Sequence, residues 1–321
     1  DWSSDVCSSD LVALVERDFA DHPGDLRPEN LPATRDDAER LWKWALERCM
    51  PHFGPYEDAM TTRSSGLFHT RVSMLLNICR LLPARVVEDV LAADLELNSK
   101  EGFVRQVLGW REFVRHVHDA TDGFRELDGE PLDQNALGGD FALPPTFWGG
   151  APSGMRCLDE VVDDVWREAY GHHITRLMVL GNLATLLAVD PRELTDWFWV
   201  AYADAYEWVV EPNVLAMATY AAGERVTTKP YVAGSAYIHK MSDYCQGCAF
   251  HPKKTCPITR LYWHFLARNQ KRLDGNQRVA MPLRSLEKRK PAEKAKDTKT
   301  ANWVRDTLAK GGRLDPSDAP A

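Results

Sequence analysis

The chain has 321 residues, enough for one large domain or two ordinary ones, with 44% hydrophobic and 27% charged residues, the balance of a globular protein. With 39 Lys and Arg against 47 Asp and Glu, the net charge of −8 argues against a protein that simply coats nucleic acid. The longest apolar run, Leu177–Val189, is too short to cross a bilayer, no basic-then-apolar leader opens the chain, and a scaffold of seven cysteines does not suit this size; a reduced cytoplasmic setting without membrane is expected.

The opening Asp1–Leu11, "DWSSDVCSSDL", reads as the in-frame translation of a sequencing-library adapter. That reading removes Cys7 from any ligand set and implies native chain missing before it. A helical connector is then expected over residues 12–60, a catalytic unit over 61–290 and a helix or tail over 291–321. Arg35–Met50 carries Leu41, Trp42, Trp44, Ala45 and Leu46 around a helical stripe with acids at its start. Leu82–Leu95 places a Pro in its first turn, and Glu101–His118 and Leu158–Val189 keep the same period. The Pro- and Gly-rich Leu143–Met155 reads as a loop, and Pro191 starts a helix carrying the aromatic run Asp196–Trp208. From Lys288 a surface helix or frayed end is expected. No run alternates with the period of a strand, so the fold class is all-α.

The segment Tyr244–Pro257, "YCQGCAFHPKKTCP", holds Cys245, Cys248 and Cys256 at spacings typical of metal ligands, one short of a tetrahedral set. Cys49 and Cys79 read as small buried hydrophobes. Cys157 stands at the mouth of a helix, where backbone N–H groups favour a thiolate, and is preferred as the fourth, although spacing alone does not choose. His251 could instead complete a mixed zinc site, and the residues by themselves lean to zinc over iron–sulfur. Between Arg268 and Lys296, ten Lys or Arg face only Asp274, Glu287 and Glu293, either a solvated surface or a phosphate-binding flank.

"RVSMLLN", "FVRQVLGWREFVR", "AYGHHITRLMVLGN", "YADAYEWVVEPNVLAM", "TKPYVAGSAYIHKMSDYCQGC" and "CPITRLYWHFLARN" follow one another in that order. Together they resemble the iron–sulfur bacterial cryptochromes and photolyases, the prokaryotic (6-4) branch of the cryptochrome/photolyase family, from about Leu11 to Arg289. The resemblance implies the family's helical FAD-binding domain without its N-terminal α/β domain, where a ribityllumazine-type antenna chromophore would sit. It also implies a 4Fe–4S cluster on Cys157, Cys245, Cys248 and Cys256. The loop between Cys248 and Cys256 is shorter than family members often have.

Thr70, Arg71 and Ser73 at a helix start form a plausible phosphate cradle, and the resemblance makes this an FAD contact. It further implies Trp110, Arg111 and Asn213 in the flavin pocket and the pair Arg176–Asp204 against the flavin ring. His172 and His173 match the family's active-site pair; imidazole suits a proton donor to a (6-4) lesion, and the residues do not choose between them. Tyr231 and Tyr237 match positions beside an extruded lesion, while Trp197 and Trp148 match electron donors to the flavin. Phe198 stands where relatives often carry Tyr, with Trp199 a possible substitute in the electron path. The expectation is therefore a monomeric, light-driven DNA photolyase acting on UV-damaged DNA. The alternatives are a flavin-binding photoreceptor that signals without repair and a zinc-stapled DNA-binding domain.

Overall fold

The computed structural model describes residues 4–320; Asp1, Trp2 and Ser3, part of the opening stretch expected to be adapter-derived, lie outside them, as does the side chain of Cys7. Among the described residues the architecture is helical, as expected, with one short antiparallel ladder, Glu126–Leu127 against Glu130–Pro131. No described helix is long and apolar enough to cross a membrane.

Local chemistry explains where helices begin. Thr34 and Asp37 form a reciprocal capping box: the Thr34 hydroxyl accepts from the Asp37 N–H at 3.1 Å, and the Asp37 carboxylate accepts from the Thr34 N–H at 2.9 Å. Arg35–Trp44 then runs through a π-helical turn, Ala45–Cys49, into Met50–Tyr56. Asp190 caps Pro191–Ala201 by accepting from the N–H groups of Arg192 and Glu193, and Pro191 takes the first position, where no N–H is needed.

Two expectations needed correction at helix ends. The continuous period of Leu158–Val189 is two helical stretches, because Ala169 turns left-handed (φ 46) and closes Arg156–Glu168 before Thr175–Gly181 begins. Helix Pro191–Ala201 likewise ends within the aromatic run, at an extended Tyr202. The two breaks are tied to each other, since Ala203 N–H donates to the Ala169 carbonyl at 2.9 Å. This knot sets Asp204 in a turn opposite the start of the next helix. Apolar periodicity carries no signal for either break.

Among the described residues two large hydrophobic cores result, with a small third one around Phe124, Leu215 and Ala221. Of the large pair, one gathers Leu158, Leu180, Leu194, Trp197, Leu261 and Phe265; the other gathers Trp42, Met50, Leu75, Val86 and Phe103. Each such fully buried side chain stabilises the fold by about 1.5–3 kcal/mol relative to exposure. The C-terminal stretch is more than a frayed end: Pro291–Ala309 is a 19-residue helix that buries Ala301, Val304 and Leu308 in the larger core. Its buried Asp297 pairs with Arg260 and Arg289.

Candidate functional site

A cavity of about 310 Å³ opens in the seam between the two cores, with Phe53, Phe103 and Val107 from one and Phe198, Val210 and Val214 from the other. Apolar walls with a few converging polar groups are the usual build of a small-molecule site. Three π-helical turns, Arg105–Trp110, Thr175–Gly181 and Glu211–Ala218, contribute to the wall. Thr70, Arg71, Ser73, Trp110, Arg111, Arg176, Asp204 and Asn213 all line it, as do His172 and His173. A second cavity of about 350 Å³ shares Arg71, Ser73, Tyr170 and Asp204, so that polar wall faces open space on two sides.

The polar groups hold one another in place. Asp204 accepts from Arg176 Nη2 at 2.9 Å and from the Ser73 hydroxyl at 2.5 Å, and its backbone carbonyl accepts from Asn77 Nδ2 at 3.0 Å. Arg176 also donates to the Gly171 carbonyl at 2.6 Å and lies 4.1 Å over the Tyr202 ring. Burial opposes the Arg176 charge, but Asp204 and the two tyrosines outweigh it and raise its pKa. Trp110 Nε1 donates to Asn213 Oδ1 at 2.7 Å, and Arg111 sits 5.1 Å over Trp208 with a buried Nε that has no partner. Arg71 is a left-handed residue (φ 57) ion-paired to Glu168 and stacked over Tyr170.

The structure adds a third histidine. His69 stacks on His172 with centroids 4.2 Å apart and planes within 6°, and meets His173 edge-on at 5.4 Å. Its Nε2 lies 3.1 Å from the Glu57 carbonyl, which only accepts, so Nε2 carries the proton. Burial, then the neighbouring rings and arginines, holds the pKa of His172 near 2; burial and His173 hold that of His69 near 3. His173 is pushed down to about 4 by its crowded surroundings, with Asp58 opposing, yet it remains exposed to solvent. His69 stands directly before Thr70 in the same short segment, the one hint of its role that the sequence offered.

Tyr231 and Tyr237 are half-buried and do not line the cavity. Tyr237, its pKa raised to about 12 by burial and Asp58, shares that carboxylate's field with His173.

Trp197 and Trp148 are joined by a residue that sequence reasoning missed. Trp148, 44% exposed, stacks on Trp166 at 6.0 Å, and Trp166 meets Trp197 at 6.3 Å. Both Trp166 and Trp197 donate their indole N–H to the Phe147 carbonyl, at 2.9 and 3.1 Å. Trp197 reaches the cavity wall through Phe198 at 5.1 Å, and also meets Tyr202 at 6.0 Å. Trp199 is 46% exposed, and Phe198 stacks on Tyr202 with centroids 5.1 Å apart.

Cys157 is buried in the first turn of Arg156–Glu168, and burial followed by Cys256, Cys248 and Cys245 raises its pKa strongly. The four thiols are thus electrostatic neighbours, all free of disulfides, while no three of the described His, Cys, Asp or Glu side chains are placed to share one metal ion. Arg156 ties this helix to the thiol turn by donating to the Gln246 carbonyl. His251 is exposed, and its Nδ1 accepts from the Lys253 N–H at 3.2 Å. Cys49 is buried as expected; Cys79 is exposed in a left-handed turn (φ 57), because the preceding helix stops at Asn77. In the basic stretch, Arg289 is committed to Asp297 and Glu293.

No family-level sequence profile matches the chain. A (6-4) photolyase of Agrobacterium fabrum is 38% identical over 293 residues, which cover 88% of this chain and 56% of that protein. An uncharacterized protein of Acanthamoeba polyphaga mimivirus is 29% identical over 102 residues, 32% of this chain and 80% of that protein. The crystal structure of a bacterial class III photolyase from Agrobacterium tumefaciens superimposes with a TM-score of 0.55 at 16% identity, over 83% of this chain and 56% of that one, a likeness of fold. The chain therefore spans little more than half the length of the photolyases it matches.

Proposed function

We propose that the chain belongs to the cryptochrome/photolyase family, and that its cavity binds FAD and serves light-driven repair of pyrimidine (6-4) photoproducts in DNA. What carries this reading is the convergence of every expected flavin-contact side chain and both histidines on one wall. The unpartnered buried atoms Arg111 Nε and His172 Nδ1 belong to that wall and favour a polar ligand in the cavity. When bound and reduced, FAD supplies a photoexcited one-electron donor.

The side chains divide the remaining work. Arg176, held by Asp204, keeps a fixed positive charge against the cavity and stabilises negative charge arriving there. Trp110 and Asn213 brace each other, so both present a set orientation. His173 is the proton donor of the pair: it meets solvent and can reload, whereas His172 is 2% exposed and stacked on His69. Its low pKa means that a proton is held there only when negative charge develops beside it, and Asp58 favours the protonated form. Tyr231 and Tyr237 flank the extruded lesion, and the basic stretch Arg268–Lys296 meets phosphates. Trp148, Trp166 and Trp197 relay electrons from the surface towards the cavity.

Cys157, Cys245, Cys248 and Cys256 would hold a 4Fe–4S cluster: the four thiols are close enough to raise the Cys157 pKa together, and a cationic centre would take them as thiolates. Its role is structural, clamping the helix Arg156–Glu168 to the segment that follows Met241. The test is anaerobic loading with FAD, then illumination with a duplex carrying one (6-4) lesion. Light-dependent lesion loss, abolished in His173→Ala with flavin absorbance retained, is expected. A flavin-loaded protein that leaves lesions unchanged sinks the repair reading, and failure to take up FAD sinks the cavity assignment.

A further inference from the structure

Two guanidinium groups, those of Arg272 and Arg305, meet the loop 138–141, with Arg268 near enough for their charges to be felt, and none of the three lines either cavity. Arg268 comes from the helix Pro257–Asn269, Arg272 from the turn after it, and Arg305 from Pro291–Ala309. Arg272 packs so closely on Gly138 (φ +61) that a Cβ there would lie 2.7 Å from its Nη2. Arg305 lies 4.6 Å over the Phe141 ring and 3.5 Å from Asp140. Arg268 Nε is buried with no hydrogen-bond partner.

This arrangement is incomplete as it stands. Among the described residues the one carboxylate at ion-pair distance is Asp140, whose side chain is 82% exposed and worth little as a counter-charge. Burial, then Arg305 and Arg272, lowers the pKa of Arg268 to about 10, and His264 is lowered by burial and by Arg268 and Arg305. The backbone N–H groups of the loop are already used: Gly138 donates to Asn135, and Asp140 and Phe141 both donate to Ala188. Any anion here is met by the guanidinium forks themselves.

We propose that Arg268, Arg272 and Arg305 form a binding site for a phosphate group. Planar forks match phosphate oxygens bidentately, and a group of charge near −2 offsets the mutual repulsion of three cations where a single carboxylate cannot. The phosphate can come from a small molecule or from a polynucleotide backbone. The inference sharpens the reading of the basic stretch Arg268–Lys296 by adding Arg305 and a defined locus, and does not rest on flavin binding.

The test compares melting temperature and calorimetric binding in inorganic phosphate against chloride at equal ionic strength. Wild type gains stability in phosphate, as any ligand selective for the folded state requires. Arg268→Gln and Arg305→Gln bind phosphate about tenfold more weakly or worse, having each lost a charge-assisted contact. Arg40→Gln, which removes one charge from the other core's surface, behaves as wild type. Should Arg268→Gln fold poorly, Arg272→Gln, an exposed position, carries the same comparison. An undamaged short duplex separates the sources: if it is the ligand, its log–log salt slope falls by about 0.9 per phosphate contact removed in these variants, and if it is not, the slope is unchanged while phosphate binding is lost. Equal phosphate stabilisation in all variants, or none in wild type, overturns the proposal.

Discussion

Arg176 and Arg268 are both substantially buried cations, and the fold treats them in opposite ways. Arg176 meets Asp204, a backbone carbonyl and an aromatic face, and its pKa is raised against the cost of burial. Arg268 meets two more arginines and a distant exposed carboxylate, and its pKa falls to about 10. The difference teaches that the cavity has its charges balanced before any ligand arrives, whereas the arginine cluster is balanced only with one. A ligand in the cavity meets a prepared electrostatic field; an anion at the cluster would complete the field.

The sharpest way to break the comparison is to give Arg176 the situation of Arg268. Asp204→Asn leaves a buried guanidinium without its carboxylate and should cost about 3–5 kcal/mol of stability, read by denaturant titration, with loss of flavin uptake. Removing one partner of a balanced site is expected to hurt far more than removing one member of the arginine cluster.

The next effect concerns the neutral side of the cavity. His69 and His172 have pKa values near 3 and 2 when folded against an ordinary value of 6.5, so the unfolded chain binds their protons first. Stability therefore falls as pH drops below about 6.5, and each of the two should contribute about 2 kcal/mol of loss between pH 7 and 5. His69→Phe keeps a ring on His172 and removes one titrating group, so its melting temperature should vary less steeply over that range. An unchanged pH slope would mean that His69 is not buried and neutral as the stack requires.

A kinetic effect follows. Trp166→Phe interrupts the relay between Trp148 and Trp197 and should slow blue-light bleaching of bound flavin several-fold under a thiol reductant, while Trp199→Phe should leave the rate unchanged. The smallest effect belongs to a pair balanced at the surface: Arg85→Gln, which loses two hydrogen bonds to the partly exposed Glu39, should cost under about 1 kcal/mol.

Much of the site was legible because its members sit in short segments with their own chemistry. Thr70, Arg71 and Ser73 share one turn, His172 and His173 are adjacent, and three of the four cysteines lie within one loop. Trp166 was not legible, because along its helix it is one more apolar residue; only its stacking on Trp148 and Trp197 distinguishes it. The break at Ala169 was invisible for a related reason, since a left-handed alanine leaves no glycine to announce it. Arg305 lay outside the basic stretch that drew notice, and Arg289 inside it proved to be paired.

By itself the sequence determined the helical class, the proline-marked starts of two helices and the identity of the chemical groups, since periodicity, a first-turn proline and side-chain type are properties of neighbouring residues. The tertiary structure alone decided which groups meet. Arg176 finds Asp204 across a broken helix, His69 stacks on His172, and Arg272 and Arg305 meet on one loop beside Arg268 with too little negative charge between them. Those meetings join residues far apart in the chain, and they are set by how the two cores close on each other, a property that no local window of residues contains.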